Sequence, residues 1–88
     1  MQELITHAQS LTDERGNRLT FSYALLTERT DDGVVHYGIG IQSSMGDSIR
    51  LPRLSVDRSA AEHLLEQAAQ AALSPTHLPE VVEDWLGQ

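Results

Sequence analysis

Four histidines, thirteen carboxylates and a scatter of serines are the residues of this 88-residue chain that could carry chemistry. His7, His36, His63 and His77 invite a metal reading. Transition-metal ligands recur at i, i+4 on a helix or converge from neighbouring strands, and none of the four is paired with another in that way. His63 has Glu62 and Glu66 close by, an arrangement common on an exposed helix face. Serine chemistry lacks its nucleophile elbow, because no G-x-S-x-G is present and Ser43-Ser44-Met45-Gly46 reads as a turn. The adjacent acids Asp31-Asp32 and Glu83-Asp84 diverge, either on a turn or about 100° apart on a helix. They therefore do not form a general acid–base pair. No catalytic, cofactor-binding or metal-ligating residue is assigned, and the expectation is of a protein that is not an enzyme.

Composition narrows the classes further. With no cysteine there are no disulfides, no thiolate nucleophile and no cysteine-bound metal. With no lysine there is no Schiff base and no P-loop. The net charge of −7 repels phosphate backbones, which argues against nucleic acid as a partner. Residues 59–88 hold five acids and no arginine, so the acidity is concentrated in the last third. No stretch approaches the ~20 apolar residues of a membrane span, and Met1–His7 does not have the form of a signal peptide. A bacterial-type cytosol is the expected compartment.

One interior pattern stands apart. Gly38 and Gly40 sit inside a strand-like run, where a G-x-G is not the dinucleotide fingerprint of a strand-to-helix turn. Glycines in a strand interior mark a bulge, an undemanding outer face, or a place where another backbone or a ligand approaches closely.

The elements that hold these residues follow from periodicity. Residues 2–11 alternate weakly, with Leu4, Thr6 and Ala8 on one side and Ile5, His7 and Gln9 on the other. Leu19, Phe21, Tyr23 and Leu25 recur two apart, as do Val35, Tyr37, Ile39 and Ile41, which predicts two central strands. Gly16-Asn17, Thr30-Asp31-Asp32-Gly33 and Gly46-Asp47 supply the turns. Ser48–Ser55 makes a fourth strand, and Pro52 places it at an edge or ends it early. Helical spacing takes over after Asp57, capped by Asp57 or by Ser59 in a box with Glu62. It runs through Ala61, Leu64, Leu65, Ala68 and Ala72. A second helix starts at Ser74-Pro75 or at Pro79 and carries Leu78, Val81, Val82, Trp85 and Leu86 at helical spacing, with Gly87 as its stop. Trp85 lies on this apolar stripe and is read as core. Strands followed by helices predict an α+β fold: one antiparallel meander of about four strands within residues 2–55, then two amphipathic helices within 57–87 on one face. Residues 1–88 form a single domain, whose small core would gain from a partner surface.

The Phe21-x-Tyr23 strand, Tyr37-Gly38-Ile39 and the closing Leu78-Pro79-Glu80-Val81-Val82-Glu83-Asp84-Trp85-Leu86 resemble an uncharacterised family of small bacterial proteins from Gram-positive anaerobes. That family pairs a Tyr-Gly-Ile strand motif with a Val-Glu-Asp-Trp tail, and the resemblance runs from about residue 20 onward. It implies a bacterial cytosolic protein of unknown function and carries over no site residue.

Two functions are then open. The first is a protein-interaction or regulatory module, self-associating as a homodimer or docking a heterologous protein. Its surface would be the sheet face away from the helices, with Ala24, Leu26, Val34 and His36 around Gly38 and Gly40, together with the acidic helix residues Glu80, Glu83 and Asp84. On this reading Gly38→Arg or Leu26→Glu would disrupt assembly and spare the fold. The second is a small-ligand binder or minor enzyme on the glycine-lined face, with His36 and Tyr37 as its polar groups.

Overall fold

A computed structural model describes residues 1–87. Four strands, β1 (Gln2–Thr12), β2 (Arg18–Arg29), β3 (Val35–Ser43) and β4 (Ser48–Ser55), form one antiparallel sheet in the order β1-β2-β3-β4. Two helices follow, α1 (Arg58–Gln70) and α2 (Leu78–Leu86). This is the α+β meander-then-helices arrangement that the periodicity predicts.

The three hairpin loops are the same turn used three times. Gly16 N–H donates to Asp13 C=O, Gly33 to Thr30 and Gly46 to Ser43, at 2.9–3.0 Å, and each glycine has φ between 83° and 100°. Asp13, Thr30 and Ser43 then bond through their own N–H to the carbonyls of Asn17, Val34 and Asp47. A type I turn followed by a left-handed residue has the twist that joins antiparallel strands, and only glycine enters that region without a steric cost.

The helix-facing side of the sheet holds the core. Phe21, Tyr23 and Leu25 of β2 and Ile39 and Ile41 of β3 pack against Ala61, Leu64, Leu65, Ala68 and Ala69 of α1 and against Leu78 and Val82 of α2. The alanines bring α1 close to the sheet. Trp85 packs at the margin of this cluster and is only partly buried. Asp57 caps α1, its carboxylate accepting from Ser59 N–H at 2.9 Å. Glu62 turns away from the cap and pairs with Arg58, so the capping box does not form. No side chain caps α2, which opens at Leu78 with proline at its start; Ser74 shares a hydrogen bond with His77 just before it.

Two local readings change. The apolar stripe of α1 does not reach Ala72, because the helix ends at Gln70. Leu73 N–H bonds to Ala68 C=O and Ala72 N–H to Ala69 C=O, which is the bond pair of a Schellman stop. It places Ala72 at φ 51°, a conformation that glycine fills in most such stops. Buried Tyr23 completes the corner by donating its hydroxyl to Leu73 C=O at 2.9 Å, and burial raises its phenol pKa above 10.0. Gly87, in contrast, ends α2 at φ −80°, where any residue would serve.

An alanine with positive φ carries a steric cost that glycine avoids, set against glycine's greater freedom in the unfolded chain. Ala72→Gly should therefore raise stability by about 0.5–1 kcal/mol, read as a higher urea midpoint at unchanged m-value.

Candidate functional site

The glycine-lined face of the sheet is covered by the protein's own residues. On that face the neighbours across the strands are Ile5, Ala24, Gly40 and Arg50 in one row, and Glu3, Leu26 and Gly38 in the next. Leu26 is only 1% exposed and Ala24 3%, and both glycines are buried. The described helices α1 and α2 both pack on the other side, so the cover comes from β4 and from two ion pairs.

Gly38 is where β4 folds over. Tyr37 faces Ser55 and Ile39 faces Leu51, so Pro52, Arg53 and Leu54 together stand opposite Gly38 alone. The excess is absorbed by a kink with Arg53 at φ 59°. A Cβ built on Gly38 would lie 2.1 Å from Leu51 O and 2.6 Å from Pro52 Cα. Of the roles expected of an interior glycine, Gly38 thus has two, the bulge and the close approach of a second backbone. Gly40 is less constrained. Its Cβ would lie 3.3 Å from Ile49 O, 3.5 Å from Arg50 Cγ and 3.7 Å from Leu26 Cδ2. Leu26 and the Arg50 stem therefore occupy the space that a larger residue at position 40 would claim.

Over this trough lie the arginines. Arg50 crosses from β4 to Glu3 on β1, with both contacts at 3.3 Å. Arg53 reaches Glu28 on β2 at 2.7 and 3.1 Å. The bidentate bond from Arg53, reinforced by its charge, holds the Glu28 carboxyl below the ordinary glutamate value of 4.5. Asp32 in the second turn is also lowered, first by the hydroxyl of Thr30 and then by the Val34 N–H.

The interaction surface read from the sequence needs correction at its centre. Leu26, Gly38 and Gly40 are buried and offer a partner nothing, because β4 and its arginines fill the space that the sequence leaves bare. Gly38→Arg would break the β3–β4 bulge, so it cannot test assembly on an intact fold. Leu26→Glu would bury a charge. His36 is half-buried beside them, and Val34, 39% exposed, belongs to the turn before β3. Glu80, Glu83 and Asp84 are exposed on α2, and Asp84 borders a shallow groove with His63, Gln67, Val81 and Trp85. The histidines are dispersed: His7 shares a hydrogen bond with Thr6, His63 with Gln67 and His77 with Ser74. Among the described residues, no three His, Asp or Glu side chains gather as metal ligands would.

A run of exposed apolar residues within one element lies instead on β1. Leu4 is 56% exposed, Ile5 61% and Leu11 44%, and of its eleven residues only Gln9 is even partly buried. Strict alternation fails here. A bulge lies between Ile5 and His7, with Thr6 standing opposite no residue of β2. It moves His7, Gln9 and Leu11 onto the same face as Leu4, opposite Tyr23, Phe21, Leu19 and Leu25 respectively. The sequence signal for this surface is a strand with apolar residues on both sides and a poorly kept period.

The family model described as "Family of unknown function (DUF6514)" matches residues 1–88. No curated protein and no solved structure matches the chain.

Two outcomes follow from the covered face. Gly38→Ala should destabilise by roughly 2–4 kcal/mol, the range of severe steric insertions, while Gly40→Ala should cost under about 1 kcal/mol. Parallel urea melts would compare them, and equal costs would contradict the close approach at Gly38. The lowered folded pKa of Glu28 gives stability that is present above pH 4.5 and lost as pH falls through the folded pKa. Glu28→Gln should flatten the fall in melting temperature below pH 4.5 relative to wild type. The effect should be small, because the pair is solvent-accessible.

Proposed function

We propose that this chain, which belongs to the DUF6514 family of unknown function, is a protein-interaction or regulatory module that associates through the open edge of β1. It acts in the bacterial cytosol, and as a binding domain rather than a catalyst. The observation that carries the reading is the contrast between the two edges of the sheet. At the β4 edge stand Pro52, which cannot donate to a ladder, and two arginines, devices by which proteins stop strands from pairing. β1 has eleven residues without proline or lysine, and its single acid, Glu3, is paired with Arg50. Its free edge offers a row of backbone donors and acceptors flanked by exposed Leu4, Ile5 and Leu11. That combination suits recognition by strand addition, in which main-chain bonds supply affinity and alternate side chains supply selectivity.

The net charge of −7 and the exposed acids of α2 favour a protein partner over nucleic acid. Among the described residues, no helix is long and apolar enough to cross a membrane. The likeness of the Tyr37-Gly38-Ile39 and Val82-Glu83-Asp84-Trp85 segments to small proteins of Gram-positive anaerobes supports the compartment.

A display selection of extended peptides against the immobilised protein, followed by amide exchange on the complexes, tests the edge. Selected peptides should slow exchange within residues 2–12 and lose binding at least tenfold to a Leu4→Lys/Ile5→Lys variant that melts like wild type. Protection confined to α1 and α2 would sink the proposal.

A further inference from the structure

The bulge at Thr6 makes β1 complementary to itself. If a second β1 is laid antiparallel along the free edge with Thr6 looped out of both strands, Ala8 falls opposite Ala8 on a two-fold axis. Leu4 then faces Leu11 of the second copy, Ile5 faces Ser10, and His7 faces Gln9, each pair occurring twice. Opposed residues of an antiparallel ladder must point to the same face. Leu4, Leu11, His7 and Gln9 all belong to the helix-facing side, and Ile5, Ser10 and Ala8 to the other, so every pair meets that rule. Without the bulge, Leu4 and Leu11 would lie seven residues apart on opposite faces and the match would fail.

We infer that the occupant of the β1 edge is a second copy of this chain, forming a two-fold dimer with one continuous eight-stranded antiparallel sheet. The inference rests on the reading of β1 as the association edge and adds the identity of the partner. Electrostatics permits it despite the charge on each copy. Glu3 meets Thr12 of the second copy, so no like charges are opposed, and each Glu3 is already paired with Arg50. Leu4 and Leu11, each about half exposed in one copy, cover one another in the pair. Because the two-fold runs perpendicular to the sheet, both helix layers lie on the same side and flank this Leu4–Leu11 contact. Eleven residues per strand allow about ten hydrogen bonds between the copies, comparable to a standard protein interface.

The chain has no cysteine, so single introduced cysteines report the register without background. Opposed residues have Cβ atoms about 4.5–5.5 Å apart, near enough for a disulfide after slight adjustment. Ala8→Cys should give a disulfide-linked dimer on mild oxidation. Ser10→Cys should not, since its copies stand four strand steps, about 13 Å, apart. Leu4→Cys mixed with Leu11→Cys should give the mixed dimer, whereas neither links to itself. All four sites are exposed, and unchanged melting temperatures of the reduced variants would confirm the fold. Sedimentation equilibrium of the wild type should show a dimer that persists in high salt.

A wild-type monomer at millimolar concentration overturns the inference, as does linkage at Ser10 equal to that at Ala8. If the monomer still binds displayed peptides along residues 2–12, the edge reading stands and only the identity of the partner falls. If it binds neither a copy nor a peptide there, both fall.

Discussion

The central hairpin of β2 and β3 is buried on both faces, but the two described helices cover only one of them. Leu26 and Ala24 are nevertheless buried, by something thinner than a helix. The solution is a strand bent over a glycine and two arginines that reach back across the sheet to carboxylates on β1 and β2. Arginine suits this position because its stem covers apolar surface while the guanidinium remains in water, bonded to a carboxylate. Much else follows from that cover. Gly38 is required, Arg53 adopts a left-handed backbone, and Glu3 and Glu28 become the anchors of the straps.

How far the sequence revealed this depends on whether a signal was local. The central strands were legible because large residues recur two apart, and the helices because apolar residues keep the 3.6 period. The turns were legible because Gly16, Gly33 and Gly46 each close the same motif. The fate of the second face was not, since it is decided by the pairing of Gly38 with a kink at Arg53, fifteen residues later, and by arginines crossing one or two strands. A bare face and a covered face look alike in alternating small residues. The Ala72 stop escaped for another reason: alanine gives no hint of positive φ, and only the bonds to Ala68 and Ala69 reveal it.

The candidate site moved for the same cause. Alternation assigns Leu4 and Leu11 to opposite sides, and a single looped-out residue, Thr6, reverses the assignment for everything beyond it. Bulges have no reliable residue signature outside glycine, so the weak period of β1 was the only trace. Glu80, Glu83 and Asp84 of α2 are exposed, and β1 carries a single acid, Glu3.

The order β1-β2-β3-β4 also governs how the chain reaches its native state. Every strand pairs with its neighbour in sequence across a loop of four or five residues, so each hairpin closes with little loss of loop entropy. The sheet can grow one strand at a time from any of the three turns, without waiting for a distant segment. Such short-range pairing places the protein among the faster-folding β-containing domains and shortens the period in which the β1 edge stands open on an incomplete core.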